Sequence, residues 1–210
     1  DTVYSNTLYG RVINAITPSH APNGFSFPYL YLTALGDFLA VLIGCLACFS
    51  LVERRVGRPY ALFAVLSIVA GTNLMLFTYG WTGSSFQPSF LVFAVFLNHW
   101  DATRENRSLA GWLGAGVLLG ILVMTRTLNA AFVLIPLLDW LHTAGTRLQR
   151  EGAPGLAEPL RHGAILTSGM LLGYAPQLVL QRLVDHTWFV DAYGVGTGRF
   201  TGLTDHLFGL

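Results

Sequence analysis

Long apolar segments alternate with short loops along this chain, and most of its arginines fall in every second loop. The apolar blocks lie at about 28–52, 60–79, 88–98, 109–125, 128–141 and 163–180. A helix crossing the hydrocarbon core of a bilayer takes about 20 apolar residues, and several blocks reach or approach that length with almost no charge. A chain patterned in this way has lipid for its solvent, and each polar residue within a span needs a partner or a purpose. Charged residues make up only 11% of the sequence and hydrophobic ones 53%, against about 25% charged in soluble domains. The expected fold is all-α, a polytopic transmembrane helix bundle of about six spans.

The net charge of +1 and the lack of a basic stripe with interleaved aromatics argue against a nucleic-acid partner. All 12 basic residues are arginine. Cys45 and Cys48 form a C-x-x-C pattern, but both fall inside the first apolar block, where two small apolar side chains are a better reading than a redox pair. Further spans are expected before Asp1 and after Leu210. The chain then reads as part of one transmembrane domain: an outer loop at 1–26, a helix bundle at 27–180, and an outer loop with the start of another span at 181–210.

Arginine-rich loops stay cytoplasmic. Arg54, Arg55, Arg58, Arg104, Arg107, Arg147, Arg150 and Arg161 fall in loops at 53–58, 100–108 and 142–162, eight against the four elsewhere. These three loops are assigned to the cytoplasm, and 1–26, 80–88, the turn at Arg126 and 181–210 to the outside. The Asn106-Arg107-Ser108 glycosylation pattern lies on the cytoplasmic side and is discounted. The two shortest blocks, 88–98 and 128–141, need extension or tilt to cross. The pair meeting at Arg126 reads as a hairpin whose tip stays near the outer interface. Gly116 and Gly120, and likewise Gly169 and Gly173, are four residues apart and allow close helix packing.

Few residues here carry chemistry. Arg126 ends an apolar block, where a guanidinium suits bidentate phosphate binding; the plainer role is an interface anchor. Asp37 lies about nine residues into the first block. Either it is buried with a partner, or 25–31 runs along the interface and Asp37 stays near the surface; the second avoids burying a charge and is preferred. Tyr29 and Tyr31 fit an aromatic belt there. The tail holds Arg182, Asp185, His186, Asp191, Arg199, Asp205 and His206 among aromatics, with no spacing diagnostic of a metal. The glycine-dense run from Tyr193 to Gly198 lacks the dinucleotide fingerprint and reads as a loop.

Several segments taken together resemble one family. Pro22-Asn23-Gly24-Phe25-Ser26-Phe27-Pro28, Gly71-Thr72-Asn73-Leu74-Met75-Leu76-Phe77-Thr78-Tyr79 followed by Pro88-Ser89-Phe90, Gly120 to Arg126, and Gly173-Tyr174-Ala175-Pro176-Gln177 are similar, in order, to segments of bacterial GT-C-fold membrane glycosyltransferases. That group includes protein O-mannosyltransferases and the lipid A aminoarabinose transferase. The resemblance implies a GT-C-like bundle, incomplete at both ends, in the bacterial inner membrane. It implies an inverting transfer of sugar from a polyprenyl-phosphate donor to an acceptor on the extracytoplasmic face; the lipid-linked sugar is a substrate, no cofactor is expected, and dependence on a divalent metal stays open. Arg126 corresponds to the arginine on the donor phosphate. Asp1 corresponds to the catalytic carboxylate of the first outer loop, and Tyr4 to its substrate-binding tyrosine. Position 2 is Thr where many relatives carry a second acid. Partners are then membrane lipids, the polyprenyl-phosphate sugar and an unidentified acceptor. The competing readings are a non-catalytic membrane scaffold and a lipid or solute transporter.

Overall fold

A computed structural model describes residues 27–80 and 83–184. Every regular element among the described residues is helical: α1 (Phe27–Val56), α2 (Arg58–Gly71), α3 (Leu74–Gly80), α4 (Phe86–Ala102), α5 (Leu109–Thr125), a 3₁₀ segment (Thr127–Val133), α6 (Leu134–Glu151), a 3₁₀ turn (Ala153–Leu156) and α7 (Ala157–Val184). The chain divides into two units, Asp1–Gly173 and Tyr174–Leu210. The described part of the second is the C-terminal portion of α7, with Pro176 inside the helix.

Three stretches, Leu30–Val56, Thr127–Glu151 and Ala153–Leu183, are long and apolar enough to cross a membrane. The helices Arg58–Gly71 and Leu109–Thr125 are apolar but shorter. Against the six spans expected, three helices among the described residues qualify on length and composition. The block at 60–79 is not one helix. Thr72 closes α2 with extended backbone, and its hydroxyl donates to Ile68 O at 2.7 Å while accepting from Leu74 N at 3.2 Å. One threonine thereby ends one helix and starts the next, the competition with helical hydrogen bonds that its short side chain favours. The block at 88–98 does lengthen, to the 17 residues of α4.

The connection assigned to 142–162 is shorter than expected. α6 runs on to Glu151, Gly152 turns the chain at φ 69°, and α7 begins at Ala157. A positive φ is open to glycine without strain, and the Gly152 N–H bonds Leu148 O at 3.0 Å. The polar residues of 142–151 read as loop because α6 is two-faced. Leu134, Leu137, Leu138, Leu141 and Leu148 are exposed along one side, and at 100° per residue Asp139, Thr143 and Arg147 fall on the other.

Within the first unit, α1 packs on α2 and α4, and α4 on α5. The core is Phe96 and Trp100 of α4 against Ala115, Leu119 and Leu122 of α5, flanked by Phe132, Ile135, Leu166 and Met170. α5 and α7 touch backbone to backbone. A Cβ on Gly116 would overlap the Leu166 carbonyl oxygen and stand 3.0 Å from Gly169 Cα, and one on Gly169 or Gly173 would overlap the Leu113 or Val117 carbonyl. The glycine pairs expected to admit close packing do so. Apolar side chains such as Phe63, Tyr31 and Leu138 point outward, while Asp37, Gln87 and Ser89 are buried. Apolar side chains turned outward, with a few partnered polar groups held inside, are compatible with a membrane protein.

Candidate functional site

α5 ends at Thr125, and Arg126 leaves it in extended conformation at φ −156° and ψ 129°. Its amide still reaches Leu122 O, and its carbonyl accepts from Asn129 N at 2.9 Å, which starts the 3₁₀ segment. The side chain is half-buried. Its Cζ lies 4.0 Å from the centroid of the Phe86 ring, and that ring stacks on Phe77 at 4.1 Å. The negative ring face holds the cation in place, worth about 0.5–2 kcal/mol depending on desolvation. No carboxylate among the described residues pairs with Arg126.

Beneath it lies a closed polar network. Thr125 Oγ1 donates to Leu122 O at 2.7 Å, so Ser89 must donate in its 2.8 Å bond to Thr125. The Asn129 amide then donates to Leu122 O, Thr125 Oγ1 and Ser89 Oγ at 3.0, 3.1 and 3.2 Å. Both hydroxyl protons are used internally. The guanidinium is left as the donor this platform offers outward, a set suited to an anion rather than to a neutral ligand.

The approach to α4 is tied down beside it. Gln87, fully buried, donates to Phe77 O at 2.6 Å and accepts from Ser84 Oγ at 2.5 Å. Asp37 accepts from Gly83 N at 2.5 Å and is 8% exposed. This corrects the preferred reading of Asp37 as a near-surface residue. α1 starts at Phe27, so Asp37 is three turns inside the helix and is buried with a backbone donor as its partner. A carboxylate and a guanidinium thus flank the junction where α4 begins and α5 ends.

Asp1 and Tyr4 lie outside the described residues, as do Tyr193 to Gly198 and the tail from Asp185 onward. Cys45 and Cys48 are free thiols on α1. Among the described residues no group of three His, Cys, Asp or Glu stands together as a metal site. Sequence reasoning missed Phe86, Ser89 and Asn129. Asn129 carried a signal: it stands three residues after Arg126, at a helix break, where Asn commonly bonds the backbone.

The loops rich in arginine meet at the other end. Arg54 bonds Asn98 O at 3.2 Å, and Arg55 Nε bonds Asp101 Oδ1 at 2.9 Å. That bond holds the Asp101 carboxyl below the usual carboxylate range against its burial, with the charges of Arg55 and Arg54 adding to it. Nearby, Arg107 Cζ sits 3.4 Å from the Trp100 ring and 4.5 Å from that of Trp112, whose ring stacks on His162 at 5.0 Å. Burial pushes the Arg107 guanidinium down to about 10, Asp139 opposes this and Arg104 adds to it; the group stays charged at neutral pH.

Compared with known proteins, the chain matches no family model, no curated protein and no solved structure.

Proposed function

We propose that this chain is part of an integral membrane glycosyltransferase of the bacterial inner membrane, GT-C-like, that moves a sugar from a polyprenyl-phosphate donor to an acceptor on the extracytoplasmic face. The observation that carries the reading is Arg126: a cation at the end of an apolar helix, seated on Phe86, with no ion-pair partner among the described residues. A charge placed there without a counter-charge calls for an anionic ligand, and a lipid phosphate arrives at that depth with its tail in hydrocarbon.

In this reading a carboxylate of the first outer loop, Asp1, accepts the proton of the acceptor hydroxyl. The acceptor oxygen attacks the anomeric carbon from the face opposite the phosphate, the bond from that carbon to the phosphate oxygen breaks, and the electron pair leaves with the lipid phosphate. Arg126 stabilises the charge that develops there, a role in which losing one donor costs about 10²–10³ in rate. Tyr4 contacts the substrate. The test is transfer from labelled polyprenyl-phosphate sugars by the complete protein in membranes. Arg126→Ala should lose transfer by that factor with expression unchanged, and Arg126→Lys should recover part of it. Normal turnover by Arg126→Ala removes Arg126 from the mechanism. A folded wild type that uses no donor leaves the scaffold and transporter readings.

One observation favours a second reading, a lipid or solute transporter. α2 and α3 are two halves of an interrupted helix, and Thr72 and Asn73 are exposed at the break. Interrupted helices are how transporters build sites at membrane depth. Uptake into proteoliposomes without sugar transfer decides for it.

A further inference from the structure

At the arginine-rich end a cavity of about 580 Å³ opens between the segment 104–108 and the facing sides of α6 and α7. That volume is within the range of small-molecule sites, about 300–1,000 Å³. Much of its polar lining is already satisfied: Arg147 pairs with Glu158, and Trp140 Nε1 donates to Pro159 O at 2.7 Å. Four charged side chains are not, the exposed Glu105 carboxylate among them. The Arg104 guanidinium is exposed and makes no hydrogen bond or ion pair among the described residues; its backbone N–H donates to Asp101 O at 3.3 Å. Arg107 spends Nε on Thr103 Oγ1 at 3.0 Å and Nη2 on Trp100 O at 2.8 Å, which leaves Nη1. The Asp139 carboxylate, on the inward side of α6, has no hydrogen-bond or ion-pair partner among the described residues.

The setting narrows the ligand. The exposed leucines of α6 look away from the cavity, so that helix puts apolar side chains outward and a carboxylate inward. Trp112 and Trp140 line the chamber, and Trp100 meets Trp112 edge to face at 5.5 Å. Tryptophans gathered at one end of a bundle mark headgroup depth. Two guanidinium groups three residues apart suit a phosphate, and a facing carboxylate suits an amine or hydroxyl donor.

We propose that this cavity binds a phosphodiester whose alcohol carries a hydrogen-bond donor, with the phosphate between Arg104 and Arg107 and the amine or hydroxyl on Asp139. Phospholipid headgroups with ethanolamine or glycerol have that chemistry, and so do their soluble deacylated forms. The inference rests on the membrane placement proposed above and not on sugar transfer.

The test uses the complete protein in nanodiscs made from equal parts of phosphatidylethanolamine, phosphatidylglycerol and phosphatidylcholine. Recovery in the discs checks the membrane placement by itself. Native mass spectrometry then reads the lipids retained on release into detergent. Ethanolamine and glycerol lipids should be retained over the choline lipid, which has no donor, by about tenfold. Arg104→Gln should reduce retention of all three. Asp139→Asn should retain lipid but lose the preference. Both variants should keep Arg126-dependent transfer, and a wild type with intact transfer but no lipid preference sinks this inference alone. Displacement by soluble glycerophosphoethanolamine as effective as by the diacyl lipid upholds the chemistry and assigns the site to a soluble phosphodiester. Equal retention of the choline lipid by wild type, or unchanged selectivity in both folded variants, overturns the proposal.

Discussion

Asp101 shows what one carboxylate does when two arginines from another helix reach for it. The bond from Arg55 keeps it ionised below the usual carboxylate range, so the folded pKa is depressed relative to the unfolded chain. Its contribution to stability is complete above the ordinary value of 3.8 and is lost as pH falls through the lower folded value. Asp101→Asn is therefore expected to lower the unfolding midpoint slightly at neutral pH, since Arg55 is largely exposed and the pair is screened. The gap from wild type should close on acidification. Unfolding of both proteins in detergent across acid pH checks this; a gap that widens with acid contradicts the assignment. Arg126 is the opposite case, a charge whose partner is an aromatic ring. Its place at the end of an apolar block was legible in the sequence. Its seat was not, because Phe86 lies 40 positions away and is brought there by the pairing of α4 with α5.

The helices themselves were legible wherever apolar residues ran without interruption. α5 is the plainest: one apolar block, opened by Ser108, whose hydroxyl accepts from Gly111 N at 3.1 Å. The break at Thr72 was hidden because apolar residues flank it on both sides, so hydropathy reads through a local hydrogen bond. The far half of α6 was hidden for the converse reason, a polar face mistaken for a loop. The glycine spacing was informative because small residues four apart form a ridge that a neighbour can approach. It carries a prediction. Gly116→Ala and Gly169→Ala each drive a methyl into a backbone carbonyl and should cost about 1–3 kcal/mol. Gly36→Ala, with nothing within 4 Å of the added carbon, should be neutral or stabilise by up to about 1 kcal/mol through helix propensity. Equal effects at all three positions, measured by thermal unfolding in detergent, would refute the close seam.

At the scale of the molecule, contacts gather the loops into two sets. Arg54 and Arg55 meet Asn98 and Asp101, and the segment 104–108 shares a cavity with α6 and the start of α7. The connection before α4 meets the turn at Arg126 through Phe86. If lipid separates the two sets, a membrane-impermeant maleimide applied to intact cells should label Ser84→Cys and spare Glu105→Cys, in a background with Cys45 and Cys48 replaced by Ala. Labelling of both from the same side would disprove the arrangement.

The seam between α5 and α7 has a mechanical consequence. With glycine backbones in contact, sliding one helix along the other drives Cα atoms into carbonyl oxygens, so the pair moves as one strut. The 17 residues of α5 make that strut about 26 Å long. Arg126 is mounted at one tip and Ser108, next to the Arg107 stack, at the other. A rigid tilt of that strut that shifted Arg126 would shift the Ser108 end by a comparable distance in the opposite sense.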